Sequence, residues 1–300
     1  MNTITIEIIN AFVDGDQGGN PAGVVFHADG LDSVAKQAIA RQAGFSETAF
    51  VSKSSVADYK LDFFTPTRQI AHCGHATIAT FAYLAQQGLL GDVESSKETI
   101  DGRRRIVIDG DMAFMEQRAP AYTRPESRLE KDILRALGLS PADLLPELDI
   151  EVVDTGNRFL IVAVKNQAIL RDIVPEQSTI GDISERLGLI GVYVYTPQSV
   201  KPGRDATARM FAPFYGISEE AATGMAAGPL ACYLRDCAGV DKTEFLIEQG
   251  YFMTPPSGSV ITVKLDIKGA RIQSLLAGGR ARQIKRISVA FPAREKQSVG

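Results

Sequence analysis

Two stretches of the chain echo one another. GHATIATFAYL at 74–84 and GMAAGPLACYL at 224–234 align at a shift of 150 residues, half the length of the 300-residue chain. They share Gly74/Gly224, Ala76/Ala226, Tyr83/Tyr233 and Leu84/Leu234, and each follows a Phe-x-Pro, Phe64-Thr65-Pro66 in one copy and Phe211-Ala212-Pro213 in the other. The order strand, Phe-x-Pro, loop, glycine, helix therefore occurs twice, as expected of a chain built from two versions of one unit. Both stretches are apolar nearly all round, which suits a helix enclosed by its own domain rather than one lying on a surface. A proline is expected only in a first turn, so Pro229 puts the second helix start near 225–228.

Composition agrees with two globular units. Apolar residues make up 45% and charged residues 23% of the chain, and single cores stop growing near 250–300 residues. Strand-like period-two stretches (3–9, 58–65) alternate with helix-like ones (31–44, closing at Gly44), and 97–117 reads as a glycine-punctuated hairpin. The stretch APAYTRPESR at 119–128 carries two prolines and no clear period, so it reads as the linker between domains 1–120 and 121–300. The fold class expected is α+β. A net charge of −4 offers no grip on nucleic acid or an anionic membrane. No apolar run is long enough to span a bilayer. Three cysteines and an opening MNTITIEIIN without a basic n-region point to a cytoplasmic location with free thiols, Cys232 and Cys237 being read as buried small hydrophobes.

The echo also suggests chemistry. A glycine-opened loop leading into a buried helix presents free backbone N–H groups and the positive end of the helix dipole, a natural seat for an anion. If the two starts share a cleft, a small carboxylate substrate is the expected occupant. The notable polar residues gather there: His72, Cys73 and His75 at the first start, Glu219, Glu220 and Thr223 at the second. Other signals read blandly. Asp14–Asn20 lacks both phosphate-binding glycine patterns and reads as a turn. Arg103-Arg104-Arg105 reads as a hairpin-turn cluster. His72-x-x-His75 with Cys73 has no second ligand cluster at zinc-like spacing, so neither metal nor cofactor is expected.

GNPAGVV at 19–25, GFSETAFV at 44–51, FFTPTRQIAHCGHAT at 63–77, TGNRFLIV at 155–162 and RMFAPFYGISEEAATGMAAGPLACYL at 209–234 together resemble the phenazine-biosynthesis PhzF-type isomerase family. The resemblance implies the diaminopimelate-epimerase-like fold: two similar domains, each a curved, mostly antiparallel sheet around a central helix, with the active site in the interdomain cleft. It implies metal-free acid/base isomerisation, commonly in a homodimer, and a last strand, about 286–293, that returns to the first domain. Glu47 matches the family's catalytic glutamate, and its apolar neighbours Phe45, Ala49, Phe50 and Val51 suit a partly desolvated base. His75 matches the histidine that holds and polarises substrate, neutral near a helix N-terminus. Asn20, Cys73, Gly74, Glu220, Thr223, Gly224 and Met225 complete the substrate-binding set.

The second motif departs from the family pattern. Glu220 stands where an aspartate is customary, and Met225 replaces a serine at the position symmetric to His75, exchanging a polar contact for an apolar, adaptable one. Cys73 occupies the place of one thiol of the related two-cysteine racemases, but Thr223 takes the place of the other, and a hydroxyl is too weak an acid for two-thiol chemistry. The reading is a metal-free isomerase acting on a small carboxylate-bearing metabolite. Its rivals are a non-catalytic ligand-binding or regulatory member of the fold, and a Cys73/His75 hydrolase.

Overall fold

The computed structural model describes residues 2–90 and 93–291. In chain order the strands and helices of the first half are β1 (Asn2–Ala11), β2 (Asn20–Val25), α1 (Ser33–Ala43), β3 (Thr48–Ser52), β4 (Tyr59–Phe64), β5 (Gln69–Ile70), α2 (Gly74–Gln86), β6 (Glu94–Thr99), β7 (Gly102–Asp109) and β8 (Met112–Arg118). Then come β9 (Ala121–Thr123), α3 (Ser127–Leu137), β10 (Glu151–Asp154), β11 (Arg158–Ala163), α4 (Gln167–Asp172), α5 (Gln177–Leu187), β12 (Gly191–Thr196), β13 (Ala206–Ala212) and β14 (Ile217–Glu220). The last four are α6 (Gly224–Asp236), β15 (Glu244–Gln249), β16 (Ser259–Lys268) and β17 (Arg271–Phe291).

Contacts divide the chain into two compact units, one from the described parts of 1–11, 21–113 and 280–300, the other from Phe12–Asn20 and Phe114–Gly279. Against the single cut at 120/121 read from the sequence, the chain passes between units at 113/114, and two further segments change sides. The stretch 119–128 is not a linker. Its two prolines flank β9, whose three residues pair with β10 from Val152↔Thr123 to Asp154↔Ala121, and Ser127 already opens α3. Prolines at strand ends cost no ladder bond, so polarity and proline content misled there. The final strand pairs with β1 over Asn2↔Phe291 to Ala11↔Ala281 inside the first unit; residues 292–293 lie outside the described residues.

The echo extends to whole units. In the first, β2 runs parallel to β3, β3 antiparallel to β4, β4 parallel to β6 and β6 antiparallel to β7. In the second, β11, β12, β13, β15 and β16 repeat that alternation. The helical crossover α1 matches α4–α5, and the short strand plus helix β5–α2 matches β14–α6. The central helix α2 touches β1, β3 and β7, strands spread across the sheet order, so the sheet curls around it. Every residue of α2 from Gly74 to Leu84 is buried, and α6 is buried from Ala226 to Leu234, packed on β10, β11 and β16. The outer faces are covered in turn: Ile39 and Ala40 of α1 meet Ile6, Ile8, Phe50 and Phe64, while Ile133, Leu137, Ile180 and Ile183 of α3 and α5 meet Val152, Leu160 and Val192. Each large apolar side chain so buried contributes about 1.5–3 kcal/mol.

Two local readings need correction. α6 begins at Gly224, ahead of the expected 225–228, and Pro229 sits in its second turn. A proline normally disfavours the helical conformation of the residue before it by pressing on that residue's Cβ. Here that residue is Gly228, which has none, so the helix continues through. Cys232 is buried as expected, but Cys237 is exposed, because α6 ends at Asp236 and leaves it at the rim. By contrast α1 closes where its sequence said, on Gly44 in the left-handed region (φ 70°).

Gly228 is doubly required: a Cβ there would lie 2.4 Å from Gln117 Oε1 and 2.7 Å from Leu275 Cδ1, besides meeting the Pro229 ring. Gly228→Ala is expected to destabilise the protein by about 1–3 kcal/mol through overpacking, read as a lower urea midpoint; an unchanged midpoint would show that Gln117 and Leu275 make room without strain.

Candidate active site

The first group of candidate residues lies in the first unit. Gly23 of β2 allows the close strand approach that seats Glu47: a Cβ at Gly23 would lie 3.0 Å from Thr48 Oγ1 and 3.2 Å from Ile6 Cγ2, and its N–H bonds the Glu47 carbonyl at 3.1 Å. Glu47 thus stands just before β3 rather than within it, only 9% exposed. Cys73 is the residue preceding α2, and its carbonyl accepts the Thr77 hydroxyl at 2.6 Å. Its thiol lies 3.7 Å from His75 Nδ1, and the other ring nitrogen, Nε2, lies 3.4 Å from Glu47 Oε2. The imidazole therefore stands between a thiol and a carboxyl, all three groups buried. Glu47 Oε2 is buried with no hydrogen-bond partner among the described residues, a state uncommon for a buried carboxyl oxygen.

Burial pushes the Cys73 thiol up, with Glu47 adding to the effect and His75 opposing it. Cys73 is consequently a thiol, not a ready nucleophile, at neutral pH. The donor atoms of Glu47, Cys73 and His75 lie within 4.8 Å of one another, close enough to share a metal ion. Binding a metal through the Cys73 sulfur would release the thiol proton. His72, which is half-buried, is held down to about 3 by burial and by the charges of Lys97 and Arg104, and is neutral at physiological pH. Behind α2, Lys97 of β6 is fully buried; burial pulls its ammonium down to about 7.

The second group lies in the second unit. The Glu220 carboxylate accepts Asn20 Nδ2 at 2.8 Å and Thr223 Oγ1 at 2.9 Å, and Asn20 also donates to the Ala222 carbonyl at 3.0 Å. The extra methylene of glutamate over the customary aspartate is taken up by this clamp. Sequence reading missed its centre, Gln249. Its Oε1 accepts the Thr223 N–H at 3.1 Å and the Tyr193 hydroxyl at 2.9 Å, and its Nε2 donates to the Glu220 carbonyl at 2.7 Å. The one available signal was a polar pair, Glu248-Gln249, closing an otherwise apolar strand. Gln117, also missed, donates to the Gly224 carbonyl at 2.9 Å and accepts the hydroxyl of Thr155, from the TGNRFLIV segment, at 2.7 Å. Gly224 is buried and Met225 half-buried at the helix start.

The sequence pattern of the phenazine biosynthesis-like proteins, PhzC-PhzF, matches residues 9–285. The chain belongs to this PhzF family of isomerases. The uncharacterized isomerase YddE of Escherichia coli K12 is 35% identical over 232 residues, covering 75% of this chain and 77% of YddE. The trans-2,3-dihydro-3-hydroxyanthranilate isomerase of Pseudomonas chlororaphis is 29% identical over 293 residues, 94% of this chain and 93% of that enzyme. Among solved structures, a PhzF-family protein of Bacillus anthracis superposes with a TM-score of 0.87 at 28% identity, over 97% of this chain and all of that one. A hydroxyproline epimerase of Agrobacterium vitis shares the fold at a TM-score of 0.58 and 13% identity, over 96% and 92% of the two chains. Within the described residues of this PhzF-family isomerase, no helix is long and apolar enough to cross a membrane.

The buried lysine makes a testable pH signature. Unfolded, Lys97 holds its proton up to the ordinary lysine value of 10.5; folded, it releases it at about 7. Between those values the unfolded chain binds more protons, so this residue makes stability rise with pH across that window. Lys97→Met should flatten that rise in denaturation curves taken from pH 7 to 10.5; an unchanged slope would mean that the ammonium is not desolvated.

Proposed function

We propose that this PhzF-family protein is a metal-free acid/base isomerase of a small, carboxylate-bearing metabolite, with Glu47 as the proton carrier. The observation that supports this most directly is the buried, unbonded Glu47 Oε2 held 3.4 Å from His75 Nε2 beside the opening of α2. In the reaction proposed, the Glu47 carboxylate takes a proton from a substrate carbon, and the electron pair left behind spreads into the adjoining unsaturated system. Glu47 then returns the proton to a different carbon, so a double bond shifts and no oxidant or reductant is consumed. His75 orients the carboxyl and answers its change of charge, while the first-turn amides of α2, which have no acceptor within the helix, hold the substrate's carboxylate and the negative charge that spreads onto it. The trans-2,3-dihydro-3-hydroxyanthranilate in the name of the Pseudomonas chlororaphis relative makes a cyclic carboxylate the first class to try.

Asn20, Glu220, Thr223, Gly224 and Met225 are proposed as further substrate-binding residues. The family resemblance and the hydrogen-bonded rigidity of the α6 opening support this. Met225 fits a substrate whose contact at that point is apolar. A non-catalytic ligand-binding role is the competing reading, and solvent exchange separates the two.

Cyclic and amino-acid-like carboxylates incubated in deuterated water should gain deuterium at carbon with the native protein. Glu47→Gln, nearly isosteric, should bind the same compound but turn it over about 10²–10⁴-fold more slowly. Equal turnover would remove Glu47 from the mechanism, and binding without exchange in the native protein would favour the non-catalytic reading.

A further inference from the structure

We propose that Lys97 is a positioning residue of this site, acting through Thr77 to aim the Gly74 amide at the substrate's carboxylate. The proposal rests on the isomerase reading above, in which the opening of α2 holds an anion.

Lys97 occupies the middle of β6, in register with Tyr59 of β4 and Arg104 of β7. It points inward, fully buried, with its Nζ 5.2 Å from the centre of the Phe63 ring. An inward position facing a central helix is normally filled by an apolar residue, since burying an ammonium carries a large desolvation penalty. What Lys97 does with its buried donors is specific: Nζ bonds Thr77 Oγ1 at 2.6 Å, and Thr77 Oγ1 in turn bonds the Cys73 carbonyl at 2.6 Å. A hydroxyl has one proton. Because Lys97 donates to it, Thr77 is left to donate onward, and the chain has a fixed direction from ammonium to hydroxyl to carbonyl. Hydrogen bonds in such a series polarise one another.

The consequence follows from peptide geometry. The Cys73 carbonyl and the Gly74 N–H belong to one planar trans unit and point in opposite directions. Anchoring that carbonyl toward the body of α2 turns the Gly74 N–H out of the helix opening, and polarising the carbonyl makes the N–H a stronger donor. A bare helix start would offer the same amide in a looser orientation. Neither Lys97 nor Thr77 touches the substrate in this scheme; both act on the peptide that does.

The test uses the full-length protein labelled with ¹⁵N, titrated with 2-aminobenzoate as a carboxylate probe and followed at the Gly74 amide resonance. Thr77→Val removes the hydroxyl and keeps the shape, Thr77→Ser restores it, and Lys97→Met removes the first donor. The native protein and Thr77→Ser should show the Gly74 amide shifting with the probe, while Thr77→Val and Lys97→Met should bind it at least tenfold more weakly. Melting temperature, measured in parallel, should not track that loss. If Thr77→Val binds the probe as tightly as the native protein, or loses affinity only in step with its melting temperature, Lys97 and Thr77 are a brace between β6 and α2 and the proposal falls. If the native Gly74 amide does not respond at all, the anion-holding reading of α2 fails first and takes the proposal with it. Should Lys97→Met not fold, the Thr77 pair still decides.

Discussion

A helix surrounded by its own sheet must satisfy every backbone group in its interior and can present unsatisfied ones only at its ends. That constraint governs α2 and α6. With their flanks closed off by β1, β3 and β7 in one unit and by β10, β11 and β16 in the other, neither helix has a free lateral face on which to carry chemistry. The backbone groups without a partner inside each helix are at its ends, and each helix opens on a glycine, Gly74 and Gly224. The polar residues of each unit then gather around an opening: Glu47, Cys73 and His75 in one, and Asn20, Glu220, Thr223 and Gln249 in the other.

The two openings are built with different physics. Around α6 the side chains form a closed ring of hydrogen bonds, in which the Glu220 carboxylate is held by two partners and Gln249 ties strand β15 to the loop before the helix. Such a ring is rigid and already satisfied. Around α2 three titratable groups stand side by side instead: the Cys73 thiol meets His75 Nδ1 at 3.7 Å, and Glu47 Oε2 lies 3.4 Å from His75 Nε2. The α6 opening is thus tied together by side-chain hydrogen bonds to a neighbouring strand, whereas the α2 opening gathers a carboxyl, an imidazole and a thiol.

Much of this was legible in the sequence because the duplicated pattern carries its own check. A glycine, an apolar helix and a Phe-x-Pro recurring at half the chain length predicted two enclosed helices, and the strand alternation of the two units repeats around them. The helix end marked by glycine at Gly44 was readable from local chemistry alone. The failures share a cause. The stretch 119–128 reads as a linker until its register with β10 is known, and Pro229 reads as a first-turn residue until Gly228 is seen to relieve it. Lys97 in ESSKET and Gln249 in EFLIEQ look like solvated polar residues in strands. Their roles depend on which way a strand faces and what lies across it, information that resides in pairing between distant segments and not in any local window.

The last strand carries a temporal consequence. β17 pairs with β16 through its first half and with β1 through its second, so the edge of the first unit is laid down by residues about as far from β1 as the chain allows. A ribosome delivers β1 long before its partner in β17. The second unit is drawn from residues 12–20 and 114–279, all made before the β17 segment that pairs with β1. In a chain of such high sequence separation the closing ladder is the slow, aggregation-exposed step. The unit that carries Glu47 and His75 can therefore close its β1–β17 ladder only after the residues of the second unit have been made.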